Sequence, residues 1–132
     1  MAVNWDSNVG ATEEELNRLI KESKKNLPNE YISLLRKYNG GEGDLALEPM
    51  WLQLWSVNQV LESQDWEIYA EYPDFFFFAS NGGLESIAFK INKTGVSEIF
   101  MFDLIAGPAS CVKIADNFLQ FEKAIGKEYK EG

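Results

Sequence analysis

Carboxylates are the most abundant groups in this chain that could do chemistry, and some come in close pairs: Glu42 and Asp44 in "EGD", Asp65 and Glu67 in "DWE". A carboxylate pair can bind a cation or serve as acid and base on a glycosidic bond. The first role needs more converging oxygens than either pair supplies, and no EF-hand pattern is present. The second needs two carboxylates across a cleft, which this spacing does not define. Histidine is absent altogether. That removes His-based triads, His zinc sites and the commonest general base. Cys111 is the only cysteine, in the apolar stretch "CVKIA", with no histidine to activate it. It is expected to be a buried structural thiol.

Two Asn-Gly-Gly stretches, "YNGG" (Tyr38 to Gly41) and "SNGG" (Ser80 to Gly83), raise the question of phosphate binding. A phosphate loop needs G-x-x-x-x-G-K-[ST] opening a helix, so that backbone N–H groups and the helix dipole face the anion. Here Gly82 and Gly83 lead into Leu84, Glu85 and a strand pattern. Gly40 and Gly41 follow a helix and precede Glu42 and Asp44, which repel phosphate. Both stretches read as turns. The sequence therefore assigns no catalytic residue, no metal ligand and no cofactor.

Charge is more informative. The net charge is −9 over 132 residues. Acids and bases balance from Met1 to Tyr38 and again from Lys90 to Gly132. Asn39 to Phe89 holds Glu42, Asp44, Glu48, Glu62, Asp65, Glu67, Glu71, Asp74 and Glu85 and no base, so all of the excess lies there. Such a field repels nucleic acid and attracts basic partners. The same segment carries Trp51, Trp55, Trp66, Tyr69 and Tyr72. Each is a core candidate, but tryptophan and tyrosine are also enriched in interface hot spots. Single-stranded nucleic acid would want such aromatics among bases.

The elements that must position these residues follow from periodicity and caps. Thr12 and Glu15 form a capping box, followed by Leu16, Leu19, Ile20 and Ser23 on one helical face. Pro28 suits the first turn of a second helix with Tyr31, Leu34, Leu35 and Tyr38 inward, and Asn39-Gly40-Gly41 ends it with a left-handed glycine. Leu45 to Leu54 reads as extended segments bending at Pro49. Ser56 and Gln59 form a second capping box, whose helix runs through Val57, Val60 and Leu61 toward Trp66. "FFFFA" (Phe75 to Ala79) suits a strand buried on both faces. Leu84 to Asn92 alternates, with Ile87, Phe89 and Ile91 on one side. "NKTG" (Asn92 to Gly95) is a turn into a return strand, Val96 to Asp103. "CVKIA" is a short strand, and Asp116 caps a last helix with Phe118, Leu119, Phe121 and Ile125.

The expected fold is a single α+β domain over residues 1–132, a mostly antiparallel sheet with helices packed on one side. The N-terminal "MAVNWDSNVG" lacks the basic and apolar regions of a signal peptide. No stretch reaches the ~18 apolar residues of a membrane helix, and one cysteine fits a reducing compartment. A soluble cytoplasmic protein is expected.

Three stretches together resemble the SUKH superfamily of Smi/Knr-like, cell-wall-assembly-regulator-type domains. "LPNEYISLLRKYNGGEGDL" (Leu27 to Leu45) is similar to its opening signature, "FFFFASNGGLESIAFKINKTGVSEIFMFD" (Phe75 to Asp103) to its second, and "IADNFLQFEKAI" (Ile114 to Ile125) to its closing helix. The resemblance implies an α+β binding protein without catalysis. Many bacterial members look like immunity proteins that neutralise a toxin domain, often a nuclease; fungal relatives scaffold signalling partners. The leading expectation is an immunity protein that occludes a basic toxin domain. Glu42, Asp44 and Glu85 would face the partner's basic groove, and Trp51 or Trp55 would anchor the contact. A regulatory scaffold is the alternative. A hydrolase using carboxylates of the middle segment is the third reading.

Overall fold

The two capping boxes form as their spacing predicts. Thr12 Oγ1 accepts the Glu15 backbone N–H at 3.1 Å, and Glu15 Oε1 accepts the Thr12 N–H at 2.9 Å, opening α1 (Glu13–Ser23). Ser56 and Gln59 make the same reciprocal pair at 3.2 and 2.8 Å, opening α3 (Val57–Ser63). Each box satisfies two otherwise orphaned donors. The computed structural model describes residues 4–91 and 97–129.

Other local expectations shift. In α1, Leu16, Leu19 and Ser23 are buried but Ile20 is 46% exposed, so the buried stripe is narrower than the sequence pattern. Lys24, with φ of 55°, supplies the left-handed residue at the end of α1. Pro28 caps α2 (Asn29–Lys37) from just outside, and α2 ends on an extended Tyr38 instead of a glycine. α3 stops at Ser63, and the chain makes a separate 3-10 turn over Glu67–Glu71. The last helix, α4 (Phe118–Ala124), is capped by Asn117, whose side chain accepts the Gln120 N–H, and not by Asp116. Phe118 and Phe121 are buried there while Leu119 is exposed.

Among the described residues seven strands form one antiparallel sheet in chain order: β1 (Trp5–Ser7), β2 (Gly41–Asp44), β3 (Trp51–Leu54), β4 (Phe75–Ser80), β5 (Glu85–Lys90), β6 (Ile99–Asp103) and β7 (Val112–Ala115). The fold class is therefore α+β, as expected. The anticipated "NKTG" turn and Val96 lie outside the described residues; β5 and β6, on either side of it, pair antiparallel. Cys111 corrects its expectation. It precedes the terminal strand β7 and is exposed, so it is no buried structural thiol. Its pKa is nonetheless raised, chiefly by partial desolvation.

β1 and β2 had no strand signal, because their pairing rests on missing side chains. A Cβ on Gly43 would stand 2.1 Å from the Asn4 carbonyl oxygen and 2.9 Å from Trp5 Cα. Glycine is what lets β1 lie against β2. Asn39 then ties this corner together. Its Oδ1 accepts the Val57 N–H at 2.8 Å, its Nδ2 donates to Glu15 at 3.2 Å, and its carbonyl accepts from Asn8 Nδ2 at 2.9 Å. One side chain thus joins the N-termini of α1 and α3.

β4 is the central strand, and its four phenylalanines are divided between the two faces. Phe76 and Phe78 join Leu16, Leu19, Leu34, Leu35, Ile87, Phe89 and Phe121 in the main core beneath the helices. Phe77 joins Tyr72, Ala88 and Phe102 on the other face, with Phe75 and Tyr69 packed against them. Tyr31 of α2 is the hub between helices and sheet. Its ring centroid lies 5.4–5.9 Å from those of Phe76, Phe78, Phe89 and Phe118. Its hydroxyl is buried with no partner among the described residues. Tyr31→Ala should cost about 3–5 kcal/mol of stability in urea denaturation. Tyr31→Phe should be neutral or stabilising, because it removes only an unpartnered polar atom. A loss above ~1 kcal/mol for Tyr31→Phe would show that the hydroxyl does have a partner.

Candidate functional site

The face of the sheet away from the α-helices is only half covered. Tyr69 and Tyr72, on and just after the 3-10 turn, pack over Phe77, with Tyr69 stacked on it at 4.3 Å and Tyr72 edge-on at 5.2 Å. Beyond that cover the sheet is open, and register decides what it presents. Residues directly opposite each other in an antiparallel ladder share a face. The pairs Asp6↔Glu42, Glu42↔Gln53, Gln53↔Ser80 and Ser80↔Ser86 therefore form one polar row across five strands. Asp44↔Trp51 lies one step along β2 and β3 on the same face, and Trp55 continues the alternation of Trp51 and Gln53. Leu52 and Leu54, alternating with these, are fully inside the main core.

Four of the five residues expected at the interface thus share this face: Glu42, Asp44, Trp51 and Trp55. Glu85 does not join them. It alternates with Ser86, so it turns to the opposite side, across from Asp103. There Asn81 Nδ2 donates to its carboxylate at 2.9 Å. Asn81 also accepts the Gly83 N–H at 2.8 Å, and Gly82 has φ of 83°, so the second Asn-Gly-Gly is a turn.

The open face is indented. A groove of about 360 Å³ is lined by Gln53, Trp55, Gln59, Glu62, Trp66, Tyr69, Ser80, Gly82, Gly83, Ser86 and Leu104. A second hollow of about 330 Å³ adjoins it through shared Gln53, Trp55 and Gln59, and adds Asp6, Asn8 and Glu42. No lysine or arginine lines either one. The aromatic wall is an ordered series. Trp55 meets Trp66 edge-on at 6.0 Å, Trp66 stacks on Tyr69 at 5.7 Å, and Tyr69 stacks on Phe77. Trp66 is 50% exposed. At the far end Leu84 and Ile105 are exposed, and Leu104, whose N–H bonds the Leu84 carbonyl, borders the groove.

The electrostatics are one-sided. The ion pairs among the described residues are Arg18–Glu22, Arg36–Glu13, Lys37–Glu122, Lys113–Glu98 and Lys113–Asp116. None uses an acid between Asn39 and Phe89. Among the described residues the Glu42 carboxylate meets the Gln53 amide at 3.3 Å, and that of Asp44 the Asn4 amide at 3.2 Å. Among the described residues no cluster of three acidic, cysteine or histidine side chains could hold a metal ion. No helix there is long and apolar enough to cross a membrane. Sequence reading noted Trp66 and Tyr69 among the aromatics but did not select them. Glu62 appears there only as one acid of the segment and Gln59 only as part of a cap, while Gln53 is not singled out. The alternation Trp51-Gln53-Trp55 was the available signal for Gln53.

Residues 10–123 match the model of the SMI1 / KNR4 family (SUKH-1), a span from just before α1 into the last turn of α4 that leaves β1 outside. No curated protein matches the chain.

The groove also has a titration signature. Burial raises the Tyr69 phenol from 10.0 to about 12. Ser86 pulls the other way, although no hydrogen bond of ordinary geometry reaches the Tyr69 hydroxyl among the described residues. Tyr31 and Tyr72 are raised as well, also chiefly by burial. The folded state holds these protons longer than the unfolded chain does. Their contribution to stability is complete below pH 10 and falls as pH rises toward 12. Urea midpoints measured from pH 9 to 12 should drop, and Tyr69→Phe should make the drop shallower. An unchanged slope in Tyr69→Phe would contradict the burial of that hydroxyl.

Proposed function

The chain belongs to the SMI1 / KNR4 family (SUKH-1), and from that premise we propose that it is a cytoplasmic immunity protein that neutralises a toxin domain by covering its basic active-site groove. Family membership supports a non-catalytic protein-interaction domain. The observation that carries the reading further is the unpaired acidity of the open face. The bases in the described ion pairs are matched to acids of the helices and the β7 end. Asp6, Glu42, Asp44 and Glu62 are left facing outward beside Trp51, Trp55 and Trp66. Aromatic anchors within a charged rim are the anatomy of a protein interface. The same field disfavours nucleic acid, whose phosphates need cations.

A carboxylate hydrolase fits less well. The larger groove is lined by a single carboxylate, that of Glu62, and the two of the adjoining hollow, Asp6 and Glu42, stand side by side on neighbouring strands, whereas glycoside hydrolysis needs two facing each other across one bond. A scaffold for regulatory partners would use the same face, and the identity of the neighbouring gene separates the two.

The test is co-expression with the toxin domain encoded beside this gene, with growth as the readout. Rescue and a stable complex are expected; neither appearing would sink the immunity reading. In the purified complex, the double variant Glu42→Gln/Asp44→Asn should slow association several-fold at low salt. The difference should shrink above ~0.5 M salt, where the screening length is only a few ångströms. Equal association rates at all salt concentrations would remove these two acids from the interface.

A further inference from the structure

We propose that the groove between Trp66 and the open face of β3 to β5 is a receptor for one arginine side chain of the basic partner. This deepens the protein-binding reading above and rests on it. Four observations converge. The groove has about 360 Å³ of space, enough for an extended side chain with its planar head. Its walls include two indoles, Trp55 and Trp66, inclined at 65° with centroids 6.0 Å apart, and Tyr69 stacked behind Trp66. Indole faces attract cations, and a guanidinium also stacks on them.

The polar groups in the same groove favour a donor-rich guest. Glu62 brings a carboxylate that no described ion pair uses. Gln53 and Ser80 line the same groove, and each side chain carries an acceptor oxygen. A guanidinium carries five N–H donors and no acceptor, and so matches such a set, where a carboxylate guest would meet repulsion from Glu62. Lysine offers a compact, strongly hydrated charge that stacks less well, so arginine is the preferred occupant. Finally, a Cβ on Gly82 would stand 3.1 Å from the Gln53 side-chain nitrogen. The glycine therefore keeps this wall of the groove low next to Gln53, besides supplying the turn's φ of 83°.

The experiment is an NMR titration of the intact chain with acetyl-Gly-Arg-Gly-amide, following the four indole N–H signals. The Trp55 and Trp66 signals should shift saturably, with a dissociation constant on the order of millimolar. The peptide with citrulline in place of arginine should bind at least ~10-fold more weakly, since citrulline keeps the shape and loses the charge. Glu62→Gln should weaken the arginine peptide several-fold while leaving the signals of the free protein in place. Trp66→Ala should abolish the shift at Trp55; should that variant lose its fold, Glu62→Gln alone decides. No saturable shift, equal binding of arginine and citrulline, or shifts confined to Trp5 would overturn the proposal. If the toxin domain still binds Trp66→Ala with full affinity, the groove is not its arginine receptor, while the protein-binding reading stands. If the arginine peptide binds as described and no toxin domain does, the groove stands and the immunity reading falls.

Discussion

The structure depends on one strand that must be buried on both sides. Phe75 to Phe78 alternate across β4, so Phe76 and Phe78 need cover on one face while Phe75 and Phe77 need it on the other. The α-helices supply the first cover through Tyr31, Phe118 and Phe121. The second face has no α-helix of its own in the described structure. It is covered instead by the stretch from Trp66 to Tyr72, whose rings stack in series onto Phe77. Because this cover is a short 3-10 turn, it protects only β4 to β6. The polar row from Asp6 to Ser86 remains at its border, and the groove is the step between covered and open sheet.

Charge follows the same division. The described ion pairs lie within α1, link helix to helix, or tie β7 to its surroundings, and use acids outside the segment Asn39 to Phe89. Exposed pairs of this kind add little stability individually. Their consequence is for the surface field: Arg18, Arg36, Lys37 and Lys113 are compensated locally, and no described ion pair reaches the acids of β2 and α3. A glycine-rich strand next to the sheet edge reinforces this, because Gly41 and Gly43 alternate with Glu42 and Asp44. The side chains that are absent allow β1 to approach, and those that are present point outward.

What was legible in the sequence was local or strongly periodic. Both capping boxes could be read because their partners sit three residues apart. The double burial of β4 followed from five apolar residues bounded by Asp74 and Ser80. What was not legible depended on distant partners. Trp5–Ser7 is a strand only because Gly41–Gly43 accepts it, and a glycine run carries no strand propensity. Cys111 looked buried from its apolar neighbours, but it leads into an edge strand whose first two residues are exposed. For the proposed interface, composition singled out the acidic, aromatic middle, while register decided which of its members share a face. Alternation from Ser86 removed Glu85, and tertiary packing added Trp66, Tyr69 and Glu62.

The central claim is that partner contact occurs on the open sheet face of this SMI1 / KNR4 domain, and not on its helices. The most direct measurement is hydrogen–deuterium exchange of the chain alone and in complex with the toxin domain proposed as its partner. The account predicts slowed exchange in Gly41–Asp44, Trp51–Trp55, the 3-10 turn Glu67–Glu71 and the Gly82–Leu84 turn, with α1, α2 and α4 unchanged. Protection confined to α1, α2 and α4 would contradict it.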